Sequence, residues 1–78
     1  MNVVLNGEPR NIPDGLTILT LLQYLDLKPE RIAIERNLEL VRRAEWETTL
    51  VQEDDRLEIV HFVGGGLGGG RRQTRLPS

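Results

Sequence analysis

A chain of 78 residues with no cysteine, one histidine and a formal net charge of −2 has room for one domain around one small core, in which about 60% of the unfolded chain's surface is buried. That composition excludes a disulfide scaffold, a thiolate zinc site and chemistry by the protein's own thiol. It also leaves any metal site to carboxylates, and Glu53, Asp54 and Asp55 lack the spacing of a calcium loop. The charge is divided: residues 1–66 carry seven Lys and Arg against twelve Asp and Glu, whereas Arg71, Arg72 and Arg75 in the remainder face no acid. An acidic body argues against nucleic acid, which needs clustered positive charge, and the basic stretch reads as a separate, flexible appendage.

The opening MNVVLNGEPR has neither a basic n-region nor a long apolar run, so no signal peptide and no membrane span is expected, and cytoplasmic residence is the default. Met1, Val3 and Leu5 alternate as in a half-buried strand. Asn6-Gly7 supplies the φ > 0 positions of a tight hairpin turn, and residues 8–13 form a short return strand whose prolines suit an edge. Asp14-Gly15 breaks it. Ile18, Leu21, Leu22 and Leu25 then recur at helical spacing behind Thr17 as N-cap, and Lys28-Pro29 is expected to stop that helix. Ile32, Ala33 and Ile34 begin a second strand pair that turns at Asn37-Leu38 and returns through Leu40 and Val41. Residues 43–50, with the one tryptophan, read as irregular or a single turn. The acids at 53–55 read as a solvated turn, and Leu57 to Val63 as the last strand. Two hairpins flanking one helix give an α+β fold, a mixed sheet of about five strands with the helix on one face.

Leu57, Ile59 and His61 share one parity of the last strand, and Glu58, Val60 and Phe62 share the other. With Leu57 and Ile59 turned to the helix, Val60 and Phe62 point outward and suggest a docking surface; for Phe62 the alternative of folding into the core stays open. His61 reads as a packed or half-exposed strand residue rather than a catalytic one, and Trp46 as core or rim packing.

The strand enters GGGLGGGRRQTRLPS. Gly64, Gly66 and Gly69 fit G-x-G-x-x-G, but no helix can follow to face a pyrophosphate and no acid lies about 20 residues on, so a dinucleotide site is rejected. No Lys-Ser or Lys-Thr follows to complete a phosphate loop. A plain flexible linker is the bland alternative. The third reading is an arm that threads: glycine lets a backbone pass a narrow channel, and a terminal glycine offers an unhindered carboxylate. Such a protein is a carrier without catalytic side chains, and no nucleophile–base pair is apparent.

The segments LNGEPR, IPDGLT, RIAIERN, RRAEW and above all DDRLEIVHFVGGG, in this order across residues 1–66, resemble the ThiS family of sulfur carriers of thiamine biosynthesis, within the ubiquitin-like β-grasp proteins. Two departures stand out: Asn37-Leu38 replaces the family's usual Asn-Gly, and the chain continues past the glycines where the family ends. The resemblance implies a β-grasp domain over 1–63, a threading arm at Gly64, Gly65 and Gly66, and an extension over 67–78. It implies that the carboxylate of Gly66 is adenylated with ATP and Mg²⁺ by an E1-like, ThiF-type enzyme and converted to a thiocarboxylate through a cysteine-desulfurase relay. A ThiG-type thiazole synthase then takes the sulfur, and Val60 and Phe62 lie on the partner-facing sheet. The carrier itself is not an enzyme and binds no cofactor or metal. Since Gly66 has no free carboxylate while residue 67 is attached, removal of 67–78 by a processing peptidase is expected. Gly70 is the competing end point, and an extension foreign to the family unit is a third reading. A β-grasp carrier for molybdopterin, tRNA thiolation or amino-acid biosynthesis, and a β-grasp interaction module that is never activated, are the rival functions.

Overall fold

The computed structural model describes the backbone of residues 1–63 and 72–75 and the side chains of residues 1–61. Asn2–Leu5 (β1) and Glu8–Asn11 (β2) pair antiparallel, from Asn2↔Asn11 to Leu5↔Glu8. Asn6 and Gly7, at φ 50° and 84°, form the turn between them as the Asn-Gly pair requires.

One helix follows, Ile18–Tyr24 (α1), and all four of its leading N–H groups have partners. The N–H of Ile18 donates to the Thr49 carbonyl (2.9 Å), that of Leu19 to the Trp46 carbonyl (3.0 Å) and that of Leu21 to the Thr17 carbonyl (2.8 Å). Thr17 Oγ1 accepts from the Thr20 N–H at 3.2 Å while Thr20 Oγ1 accepts from the Thr17 N–H at 2.7 Å, a capping box with threonine in the place usual for Glu or Gln. The expected N-cap is therefore Thr17. The stop differs from the expectation. The helix ends before Lys28-Pro29, in a Schellman turn: Asp26 takes φ 59°, its N–H donates to the Gln23 carbonyl, and the Leu27 N–H reaches back to the Leu22 carbonyl. Pro29 instead opens a 3-10 turn, Pro29–Arg31.

Ile32–Arg36 (β3) and Glu39–Leu40 (β4) make the second hairpin. Both turn residues have positive φ, Asn37 at 54° and Leu38 at 72°. Asparagine tolerates this region, but leucine's Cβ crowds the backbone there at a cost of about 1–2 kcal/mol. A single 3-10 turn, Arg43–Glu45, lies in the segment expected to be irregular or a single turn, and Arg56–Val63 (β5) is the long central strand.

The sheet order is β2-β1-β5-β3-β4. The β1–β5 pair is parallel and the others antiparallel, giving the expected mixed five-stranded sheet. A sixth strand, Arg72–Arg75 (β6), pairs antiparallel with β5. These four residues fall in the extension expected to be flexible; they form a strand because β5 runs on past the end of β1 and leaves backbone groups open to pairing.

The register Leu5↔Leu57 and Ile34↔Ile59 turns those side chains to one face, where they pack with Val3, Ile32 and the Ile18, Leu21 and Leu22 stripe of α1, all buried. Full burial of each such side chain is worth about 1.5–3 kcal/mol. Trp46 closes this core and its indole N–H donates to the Val41 carbonyl at 3.0 Å. Asp55 corrects the reading of 53–55 as a solvated turn. Glu53 and Asp54 are exposed, but Asp55 is buried. Its carboxylate accepts from Arg36 Nε (2.7 Å), Asn37 Nδ2 (3.1 Å) and the Gln52 N–H (2.8 Å). Burial by itself would raise its pKa, but these hydrogen bonds and the Arg36 charge outweigh burial and hold it below the ordinary carboxylate range.

Two stability predictions follow from these local geometries. Because the folded pKa of Asp55 is depressed, its contribution is fully present above the unfolded value of about 3.9 and is lost as pH falls through the lower folded value. Asp55→Ala should therefore lower unfolding stability by about 2–3 kcal/mol at neutral pH, with the difference from the parent shrinking in acid, as read by urea titrations across pH. Leu38→Gly should raise stability by about 1 kcal/mol by relieving the positive-φ strain, and a lower urea midpoint for the glycine variant would refute that strain.

Candidate functional site

β5 is the strand that leads in sequence into the glycines. Its first residues are fixed between β1 and β3, and its last described residue, Val63, is the one before Gly64. Val60 lies on the parity opposite Leu57 and Ile59, directly across from Ala33. It is half-buried and outside the core, on a sheet face that α1 does not cover. Val4 and Ala33 share this face, and Glu35 and Glu58 stand opposite each other below Val60. The described part of the surface is thus a small apolar patch beside two carboxylates, suited to a partner with apolar and basic groups. Phe62 follows on the same strand parity; its side chain, and Gly64, Gly65 and Gly66, lie outside the described residues.

The two edges of β5 are served differently. On one, β3 pairs continuously from Ile32↔His61 to Arg36↔Leu57. On the other, β1 pairs only at Arg56 and Leu57. The Val4 N–H donates to the Asp55 carbonyl (2.9 Å) and the Asn6 N–H to the Leu57 carbonyl (2.8 Å). The Asn6 side chain then replaces a strand: its Oδ1 accepts from the Ile59 N–H at 2.8 Å and its Nδ2 reaches the Ile59 carbonyl at 3.5 Å. The sequence marks Asn6 only as a turn residue. Its second task depends on a strand more than fifty residues away, and no local signal announces it.

His61, expected to be half-exposed or packed, is half-buried at the end of the core face. It borders two shallow depressions, one with Asp26, Leu27, Lys28 and Ile32 and the other with Lys28, Glu30 and Arg31. Acids and bases are mixed there, and no base–nucleophile pair is formed. Another depression, of about 360 Å³, lies where the Arg43 guanidinium stacks over the Trp46 ring at 4.5 Å, beside Leu19 and Pro29. Among the described residues no group of three His, Asp or Glu side chains is placed to hold a metal ion, and no helix is long and apolar enough to cross a membrane.

The family model of the ThiS family matches residues 3–66. A protein of Magnetococcus marinus named thiazole synthase is 47% identical over 66 residues, which are 85% of this chain but 20% of its own; the chain thus spans about a fifth of that relative's length. The sulfur carrier protein ThiS of Bacillus subtilis is 38% identical over 53 residues, 68% of this chain and 80% of its own. The crystal structure of a thiamine biosynthesis protein, ThiS, from Geobacter metallireducens superposes with a TM-score of 0.75 at 32% identity, over 85% of this chain and all of that one. The β-grasp fold expected from the resemblance is thereby found.

The edge geometry yields its own test. Asn6→Ala should expose the Ile59 N–H and cost about 1 kcal/mol, with the Ile59 amide exchanging its hydrogen faster while the Ile34 amide does not. Equal exchange at Ile59 in both proteins would refute the bridging role.

Proposed function

The chain belongs to the ThiS family; from that premise we propose that it acts as a sulfur carrier rather than as an enzyme and that Gly66 is the residue that carries the sulfur. A peptidase hydrolyses the Gly66–Leu67 bond and frees the Gly66 carboxylate. A ThiF-type activating enzyme, using its own ATP and Mg²⁺, joins the carboxylate to AMP with release of pyrophosphate. The persulfide of a cysteine-desulfurase relay attacks the acyl-adenylate and AMP leaves; a second thiol then cleaves the resulting acyl disulfide, forming a disulfide of its own and leaving a thiocarboxylate on Gly66. A ThiG-type thiazole synthase consumes that sulfur, and the cycle runs in the cytoplasm.

The observation that carries this reading is a coincidence of two ends: β5 finishes at Val63 and the family match finishes at Gly66. The intervening Gly64, Gly65 and Gly66 make an arm without Cβ atoms, which a narrow channel admits. Val60, with Phe62 beyond it, supplies the docking contact, and the acids Glu35 and Glu58 steer a basic partner surface. The thiazole synthase of Magnetococcus marinus supports the choice of partner, because a stretch 47% identical to this chain sits within a protein of that name.

Co-expression with an E1-like activating enzyme and a sulfur source, followed by intact-mass measurement, tests the proposal. A species ending at Gly66 with one oxygen exchanged for sulfur is expected; a chain left uncut and unmodified would overturn it. Deleting Gly65 and Gly66 should abolish sulfur transfer while leaving the thermal unfolding transition in place.

A further inference from the structure

Backbone groups along a strand point alternately to its two edges. On the β1 side of β5, Asp55 and Leu57 are served by main-chain N–H groups and Ile59 by the Asn6 side chain. The next groups on that edge belong to His61 and Val63. β3 already occupies the opposite edge as far as His61, so β6 takes this one, with His61↔Thr74 and Val63↔Arg72 in register. By the same alternation these two are the hydrogen-bonded pairs, while Val60↔Arg75 and Phe62↔Gln73 are the non-bonded ones.

We propose that the edge of β5 at His61 and Val63 is a strand-acceptor site, occupied in the uncut chain by its own Arg72–Arg75, and that this pairing straps the glycine arm shut. Paired residues across an antiparallel ladder have Cα atoms about 5 Å apart, whereas the eight residues between Val63 and Arg72 would reach about 26–29 Å if extended. Gly66 lies in sequence between Val63 and Arg72, so their pairing ties together both ends of the stretch that contains it. A channel wide enough for one glycine backbone does not admit two. The strap is therefore a second barrier, separate from the missing carboxylate. Its meaning for sulfur transfer rests on the carrier reading above; its existence does not.

The two barriers fall to one cut. Strands of four residues hold only while tethered, because the tether supplies an effective concentration in the millimolar range and a lone pair of short strands is marginal in water. Hydrolysis after Gly66 makes residues 67–78 a separate peptide, which leaves and uncovers His61 and Val63.

Amide hydrogen exchange, followed by NMR on the full-length chain, decides the matter without any sulfur chemistry. Thr74→Pro deletes an N–H that faces β5, whereas Gln73→Pro alters a position that faces away. Thr74→Pro should speed exchange at His61 and Val63 by about tenfold or more, as expected for loss of a local closed state. Ile59 should be unaffected, and Gln73→Pro should leave all three within about twofold of the parent. Unprotected His61 and Val63 amides in the parent chain, or exchange there that ignores Thr74→Pro, would overturn the strap. A failed sulfur-loading experiment would leave this result untouched.

Discussion

Every backbone N–H and C=O at the centre of a sheet must find a partner once water is excluded, and in this protein that demand falls on β5. It is the central strand, with β3 along one edge and β1 and then β6 along the other. On the β3 side the demand is met by a regular antiparallel ladder. On the β1 side three kinds of partner succeed one another: a short parallel strand, one asparagine amide, and a returning segment of the same chain. The beginning of β5 is anchored through Asp55, whose carboxylate takes donors from Arg36, Asn37 and Gln52 while its carbonyl receives the Val4 N–H. The β3–β4 turn, the 52–55 turn and β1 thus meet at one buried acid. Anchoring at this end fixes the start of the strand whose far end, Val63, adjoins the glycines in sequence.

The division of labour is consistent with a carrier. Side chains hold the scaffold, and the proposed reactive group belongs to the backbone terminus of Gly66. The described surface has an uncovered sheet face with Val4, Ala33 and Val60 beside the carboxylates of Glu35 and Glu58, the face that the proposed docking would use. The depressions near His61 and Trp46 are lined by mixed charges or by the Arg43–Trp46 stack, and nothing in them converges on a reacting atom.

Features governed by neighbours in sequence were legible beforehand. Asn6-Gly7 specified a hairpin, Thr17 a helix start, and alternation over Leu57–Ile59 the buried face, since each depends on residues a few positions apart. The helix stop was misplaced because proline is a conspicuous breaker, whereas an Asp at φ 59° leaves little trace in composition. Asp55 was misread for a deeper reason. In the run Glu53-Asp54-Asp55 all three look equally solvated, and only Arg36 and Asn37, brought in from β3, distinguish the buried one. Asn6 as the partner of Ile59, and β6 as the partner of β5, are likewise long-range pairings that local pattern does not encode.

Edge strands carry a general hazard, because an open row of N–H and C=O groups invites pairing with other chains. Asn6 removes that hazard at Ile59 with a side chain, which is permanent. At His61 and Val63 the cover is the strand Arg72–Arg75, which the proposed cleavage would remove. The contrast makes sense if the first position serves only the fold and the second adjoins a surface that must later be uncovered. A carrier whose arm were free from synthesis would expose both an unpaired edge and a reactive terminus before any partner was present. Under the proposed cleavage after Gly66, uncovering of the edge and release of the carboxylate would follow from the same cut.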